Sequence, residues 1–555
     1  MRKLFLFVLI IFFFASYSYA ANLRIGGVIN NEHGVGIDEV EVYILSHDKI
    51  IASTKTTVNG SYFKEIEIDK TVNPKDLTIE FKKTTYKTIK SKLDDILTSS
   101  SVNGDNIFVA TTNKVMGRTI TPAFWISLIV LISIFALISF EVFHRTVAAL
   151  VGASLLLFIS YTFGTFNENY FIISFDEAVH SIDFNVIFLL MSMMIIVGVM
   201  KKTGVFQWLA YKSYALSKGN VFKLSIILMF VTAVASAFLD NVTTMLLLAP
   251  ISIEIAIMLR INPASLLMPE VMASNMGGTA TLIGDPPNIM IGSYAHLTFN
   301  DFLINLAPVI FIILIVNVFV MKLYYNKEYK KGKIENIDEL LSKLREEYKI
   351  TDYKLLKHSL FVLGFVILLF ITHGMLHMEP SIAAMSGAAL LLLLSGVNIT
   401  EIMEHEVEWT TLVFFMMLFI IVGAAEETGF ISLIATVVKD LSGNSMLLAI
   451  IFIMWVSAFA SAIVDNIPFT ATMLPVVAYL TETIPGAGNT LWWALALGAC
   501  LGGNGTLIGA SANVVTAGFA ERSGYPLTFG SFLRVGGPTM IISVFIAMVW
   551  LLIGG

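Results

Sequence analysis

Cysteine is nearly missing from this chain. The one among 555 residues, Cys500, excludes an intramolecular disulfide and leaves a thiolate metal site without its ligands. A lone thiol in apolar surroundings packs as a small hydrophobe. Charge is scarce as well: Lys, Arg, Asp and Glu make up 14% of the residues, against about 25% in soluble domains, which excludes an ordinary water-soluble globule. The net charge of −6 says little by itself, and no nucleic-acid partner is expected. What is present instead is hydrocarbon. With 56% hydrophobic residues and a mean hydropathy of +0.80, the chain reads as a polytopic membrane protein whose surroundings are a lipid bilayer.

The membrane part is written twice. SAFLDNVTTMLLLAPI, residues 236–251, returns as SAIVDNIPFTATMLPVV from residue 461, so Asp240-Asn241 and Asp465-Asn466 stand 225 positions apart. GGTATLIGDPPN from Gly277 and GGNGTLIGASAN from Gly502 keep the same spacing, as do Gly198 and Gly204 with Gly423 and Gly429. Separate motifs holding one offset identify a duplicated block.

An ionisable side chain amid apolar segments is a functional candidate by default. Asp240 and Asp465 at equivalent positions sharpen that reading. Their other role is to cap half-helices by accepting backbone N–H groups, and the two roles are compatible. Each pair lies between two apolar arms, a pattern expected for a re-entrant hairpin whose tip stops inside the membrane. Gly277, Gly278, Gly284, Pro286 and Pro287 interrupt the apolar run 266–291 and predict an unwound spanning helix.

In chain order, residues 1–20 carry Arg2 and Lys3, an apolar run to Phe14 and the small-residue end Ser18-Tyr19-Ala20, the pattern of a secretory signal peptide. Residues 22–115 alternate polar and apolar and are punctuated by Asn30-Asn31, Asn59-Gly60 and Asn73-Pro74, which predicts a small antiparallel β-sandwich. Its IGGVIN, GIDEVEVYI and NGSYF stretches resemble the carboxypeptidase regulatory-like domain. That resemblance implies a transthyretin-like sandwich for binding, assembly or spacing. Membrane repeat 1 is expected over 120–323 and repeat 2 over 358–555. Between them, residues 324–357 carry Lys327, Lys330, Lys331, Lys333 and Arg345 among other cations, which makes a cytoplasmic linker. Five crossings per copy bring that linker inside if the domain at 22–115 is extracytoplasmic. An odd number also inverts the second copy. The expected fold is thus all-α and polytopic, with inverted repeats, two re-entrant hairpins, two broken helices and about ten spanning helices, preceded by the β-sandwich.

Inverted repeats with hairpins and broken helices form a secondary-transporter plan, with substrate held between the repeats near the midplane. LDNVTT with GGTATLIGDPPN, and VDNIPFTATMLP with LGACLGGNGTLIGASANVV, resemble the ion transporter superfamily, in the branch of arsenite permeases, D-type sodium/proton antiporters and P-protein-like carriers. The similarity spans about residues 120–555. It implies a dimerising scaffold, hence a homodimer, and a transport domain carrying both hairpin tips in an elevator-like step. Related dicarboxylate carriers place Ser-Asn-Thr at the tips where this chain has Asp-Asn. Two carboxylates about 3–8 Å from a bound dicarboxylate would repel it, whereas they suit Na⁺ or a carried proton.

Asp240 and Asp465 are therefore expected to exchange protons or bind a cation, with Na⁺ at Asp240, Asn241, Asp465 and Asn466. Thr243, Thr244, Thr470 and Thr472 line the adjoining turns, and Thr279, Thr281, Asn288, Asn504, Thr506, Ser511 and Asn513 lie on the unwound segments. Hard oxygen ligands are what Na⁺ needs. Asp285, whose repeat equivalent is Ala510, is either asymmetric coupling machinery or a cap at Pro286. Glu254 and Glu270 face Tyr479 and Leu495 at the equivalent positions and are expected to be structural or interfacial. No cofactor is expected beyond the coupling ion, H⁺ or Na⁺. The functional expectation is a proton- or sodium-coupled carrier of a small inorganic ion, with cation/proton antiport in front. An efflux permease for arsenite or another small oxyanion stands second. An intramembrane aspartyl protease is a remote third, because such enzymes bring two Asp together to share a proton rather than matching Asp-Asn pairs in a duplication.

Overall fold

The computed structural model describes residues 21–554 apart from 32–35, 48, 69–71, 84–85, 95–96, 103–104, 118, 141, 332–344, 347 and 444. The segment read as a signal peptide and most of the linker stretch ENIDELLSKLREEYK lie outside the described residues. The described chain forms two compact units, one running up to Trp125 with Ile159–Phe171, the other made of Ile126–Phe158 and residues from Ile172 onward.

The first unit holds two sheets. One has the order β4 (Ser61–Ile68), β1 (Ala21–Asn31), β8 (Asp105–Thr111), β7 (Leu97–Val102), with β9 (Lys114–Met116) also on β1. The other has the order β3 (Lys49–Lys55), β2 (Glu41–Ser46), β5 (Leu77–Lys82), β6 (Ile89–Lys92). Alternation builds the core: along β5, Leu77, Ile79 and Phe81 are fully buried while Thr78, Glu80 and Lys82 are not, as the period of two requires. Leu23, Ile25, Val42 and Ile44 join them. The expectation of a wholly antiparallel sandwich is corrected, since β1 runs parallel to β8 and to β9. Side-chain alternation is the same in parallel and antiparallel pairs, so the sequence carries no signal for strand direction.

The second unit is helical, and residues 122–125 and 159–166 of its first two helices belong to the first unit. The first copy comprises α1 (Pro122–Ser139), α2 (Arg145–Phe166), α3 (Phe184–Lys201), α4 (Val205–Ser217), α5 (Val221–Phe238), α6 (Asn241–Met258), α7 (Ala264–Thr279), α8 (Pro286–Tyr294) and α9 (Ala307–Lys331). The second comprises α10 (Tyr353–Thr372), α11 (Pro380–Ser395), α12 (Trp409–Glu427), α13 (Phe430–Ser442), α14 (Met446–Ile463), α15 (Asn466–Thr483), α16 (Thr490–Gly502), α17 (Ser511–Arg522) and α18 (Phe529–Gly554). The duplication is carried into the helix starts. Phe184 and Trp409, Val205 and Phe430, Val221 and Met446, Asn241 and Asn466, and Pro286 and Ser511 are all 225 positions apart.

Ten helices among the described residues are long and apolar enough to cross a membrane. They are not quite the ten counted from sequence. The arms α5, α6 and α14 are among them, each 18 residues long or about 27 Å. The broken helices are not, because glycine and proline divide α7 from α8 and glycine divides α16 from α17, and neither is α11, whose 16 residues are too few.

Glycines decide how closely the broken helices approach the hairpin arms. A Cβ at Gly277 of α7 would lie 2.1 Å from the Ala233 carbonyl oxygen of α5, and its counterpart at Gly502 of α16 would lie 2.6 Å from that of Ala458 on α14. Among helices in lipid, backbone approach of this kind replaces the hydrophobic drive that water supplies elsewhere. Replacing Gly277 by Ala is expected to destabilise the protein by about 2 kcal/mol or more, read as a lowered unfolding temperature in detergent. Gly364→Ala, at a position with nothing within 4 Å, should leave that temperature unchanged.

Candidate functional site

Each hairpin tip is a two-residue break. After α5, Leu239 and Asp240 are extended, and Asp240 caps α6 by accepting the Thr243 N–H at 2.8 Å and the Thr243 hydroxyl. After α14, Val464 is extended, and Asp465 caps α15 through Oδ1, which accepts the Ile467 N–H at 3.1 Å. Its other oxygen accepts the Ser511 hydroxyl at 2.7 Å. Both carboxylates thus cap their helices and still line cavities.

The unwound segments are held by amides. Asn288 donates to the carbonyls of Thr279 (3.0 Å) and Thr281 (2.8 Å). Its repeat equivalent, Asn513, donates to those of Gly503 (2.7 Å) and Thr506 (2.9 Å). A carbonyl released from its helix in apolar surroundings needs such a donor. Thr281 and Thr506 tie the same loops back to the hairpin arms by donating to the carbonyls of Ala237 and Ala462.

Between the copies lies a buried polar seam. Asn241 donates to Asn275 Oδ1 at 3.1 Å, and Asn275 donates onward to Asn504 (2.9 Å) and Asn513 (3.0 Å). Asn466 donates to both oxygens of Asp285 at 3.3 Å. Asp285 occupies the N-cap position of α8 without a side-chain cap bond, because Pro286 and Pro287 offer no N–H and the Asn288 N–H donates to the Asp285 backbone carbonyl. Its carboxylate is turned to the other copy instead. Cys500, expected to pack as a small hydrophobe, is buried in this seam with Sγ 3.6 Å from Asn288 Oδ1. The expectation is corrected: the thiol donates to the Asn288 amide oxygen, so its neighbourhood is polar.

Two cavities open here. The larger, about 580 Å³, is lined by Asp465, Ser511, Arg145, His144, Glu408 and Thr411 together with apolar side chains such as Ile138, Val242 and Val514. The smaller, about 30 Å³, is lined by Asp240, Asn241, Asp285, Asn466 and Ser511, with Arg145 and Glu408 shared between them. The remaining candidate residues line neither cavity. Besides Thr243, Thr244 donates to the carbonyl of Asp240, Thr279 to that of Asn275 and Thr472 to that of Pro468. The Thr470 hydroxyl is buried without a partner in the described structure. The threonines are thus mostly backbone locks.

Glu254 accepts from the Tyr348 hydroxyl. Glu270, fully buried, accepts from Ser252 at 2.9 Å. Neither lines these cavities.

Sequence reasoning passed over Arg145, Thr411, Glu408 and Asn275. Glu408 stands 225 positions after Asp183, a signal that was available. Asn275 has Cys500 as its repeat equivalent, and Arg145 stands before the stretch over which the 225-residue offset holds, so a search for matched residues hides both.

A family model described as citrate transporter (CitMHS) matches residues 135–498. The chain belongs to this family. Among similar members, an uncharacterized transporter of Mycobacterium tuberculosis is 41% identical over 429 residues, covering 77% of this chain and 97% of the relative. The human P protein is 36% identical over 501 residues, covering 76% of this chain and 59% of the relative. Among solved structures, the YdaH transporter of Alcanivorax borkumensis superposes with a TM-score of 0.50 at 14% identity, covering 74% of this chain and 98% of that one, a likeness of fold. This citrate transporter family member is a multi-pass membrane transporter.

The amide locks carry a stability consequence. Asn513→Ala strips the Gly503 and Thr506 carbonyls of a buried donor and is expected to cost about 2–4 kcal/mol, seen as an earlier thermal unfolding transition in detergent. Thr472→Val, which removes a bond back to its own helix, should cost well under 1 kcal/mol.

Proposed function

We propose that this family member is a secondary active transporter in which a small inorganic cation and protons exchange through the station formed by Asp240, Asp285 and Asp465. The observation that carries the reading is the charge of the cavities: four carboxylates, these three and Glu408, line them against a single Arg. An acidic, partly dehydrated site of hard oxygens attracts Na⁺ or a proton and repels a citrate-like trianion, so the family's descriptive substrate is not the cargo proposed. Asn466, bonded to Asp285 of the opposite copy, and Asn241, bonded to Asn275 of its own, supply amide oxygens, and the half-helix starts at α8 and α17 face the same region. Because the copies are inverted in topology, movement of one body against the other opens the station to each side of the membrane in turn. The reading further assigns residues 22–115 to the extracytoplasmic side behind a cleaved signal, the linker 324–357 to the cytoplasm, and a homodimer as the working form.

A second reading, efflux of arsenite or another small oxyanion, is favoured by one observation, the Arg145 guanidinium on the cavity wall.

Proteoliposomes carrying an outward pH gradient and a pH-sensitive dye decide between them. Addition of Na⁺ or Li⁺ should collapse the gradient in the wild type, and Asp465→Asn should abolish this while leaving monodisperse protein. Full activity in that variant removes Asp465 from the mechanism. Silence toward all monovalent cations, combined with arsenite flux, replaces the first reading by the second.

A further inference from the structure

Arg145 is the only Lys or Arg among the described residues lining the two cavities, and its partners are unusual. Nη1 donates to Ser511 Oγ at 2.7 Å and Nη2 to Thr411 Oγ1 at 2.9 Å. Each hydroxyl in turn donates a hydrogen bond to a carboxylate, Ser511 to Asp465 Oδ2 at 2.7 Å and Thr411 to Glu408 Oε2 at 2.9 Å. Among the described residues Arg145 makes no direct ion pair. Its guanidinium lies over the Phe414 ring, 5.4 Å from the centroid, which fixes the planar fork.

The arrangement is one-sided. Ser511 answers to Pro286 in the first copy, which has no hydroxyl to offer, so the chain of bonds reaches Asp465 and has no counterpart at Asp240. The guanidinium starts from α2, whereas Thr411 belongs to α12 and Ser511 to α17. The charged and titratable groups lining the cavities with it are Asp240, Asp285, Glu408, Asp465 and His144. Lys201 nearby is engaged by Glu406 at 3.0 Å. Among the described residues lining the cavities, no other fixed positive charge balances those carboxylates.

We propose that Arg145 is a positioning and specificity-determining residue: a tethered counter-charge that aims the Ser511 and Thr411 hydroxyls at Asp465 and Glu408 and competes with the transported cation for the Asp465 station. This rests on the cation-transport reading. A unit charge held about 7–8 Å from the bound cation at an effective dielectric of about 20–40 alters cation affinity about five- to fiftyfold.

The experiment measures the half-saturating Na⁺ concentration and the maximal rate of cation-driven proton movement in proteoliposomes of the full chain. Arg145→Gln should lower half-saturation about five- to fiftyfold, Arg145→Lys should stay within about threefold of wild type because the charge remains, and Arg145→Gln combined with Glu408→Gln should return toward the wild-type value. A fall in maximal rate or thermal stability with half-saturation unchanged overturns the proposal and leaves Arg145 a packing residue. If Arg145→Gln leaves no folded protein, Glu408→Gln alone decides: a raised half-saturation supports the tethered charge and an unchanged one overturns it. A wild type that moves no protons with Na⁺, Li⁺ or K⁺ sinks the cation reading and this proposal together, whereas a responsive wild type with an indifferent Arg145→Gln sinks this proposal only.

Discussion

A helix interrupted inside hydrocarbon releases carbonyls and N–H groups where no water can receive them, and the rest of this molecule is arranged around meeting that demand. Asn288 and Asn513 receive the freed carbonyls, Thr281 and Thr506 fasten the same loops to the hairpin arms, and glycine lets the arms come near enough for those bonds to form. A side chain longer than hydrogen at Gly277 would part α7 from α5 and with it the loop from its anchor. The openings needed for transport are thus stabilised by the same contacts that make the fold stable.

The hairpin tips meet a second form of the same demand. Asp240 and Asp465 begin α6 and α15 by accepting N–H groups that have no partner inside the helix, and a carboxylate so engaged remains an acceptor for more. Uncharged Ser or Asn would cap as well at lower desolvation cost. That the chain uses Asp at both tips, with Asp285 turned away from its prolines toward Asn466, concentrates negative charge where the two copies meet.

Much of this was legible in the amino-acid sequence because it is periodic. The 225-residue offset between Asp240 and Asp465, and between Gly277 and Gly502, reappears in the helix starts, and the glycines and prolines that end α7 and begin α8 mark the break directly. Three things were not legible. Strand direction leaves no mark on side-chain alternation, so the parallel pairing of β1 with β8 went unseen. The threonines near the tips advertise oxygen ligands, yet a hydroxyl inside a helix bonds its own backbone as readily as a cargo, and Thr244 and Thr472 do so. Finally, looking for matched pairs favours what the copies share. Arg145 and Asn275 matter through what the copies do not share, and only their spatial neighbours reveal them.

Cys500 lies sealed against Asn288 in the seam, so the folded exterior carries no native thiol at all. The molecule therefore arrives already suited to maleimide and spin-label chemistry: a cysteine introduced on either face would be the sole accessible label, free of background. The buried sulfur itself would become reactive only when the two broken helices part, making it a native sentinel of that opening.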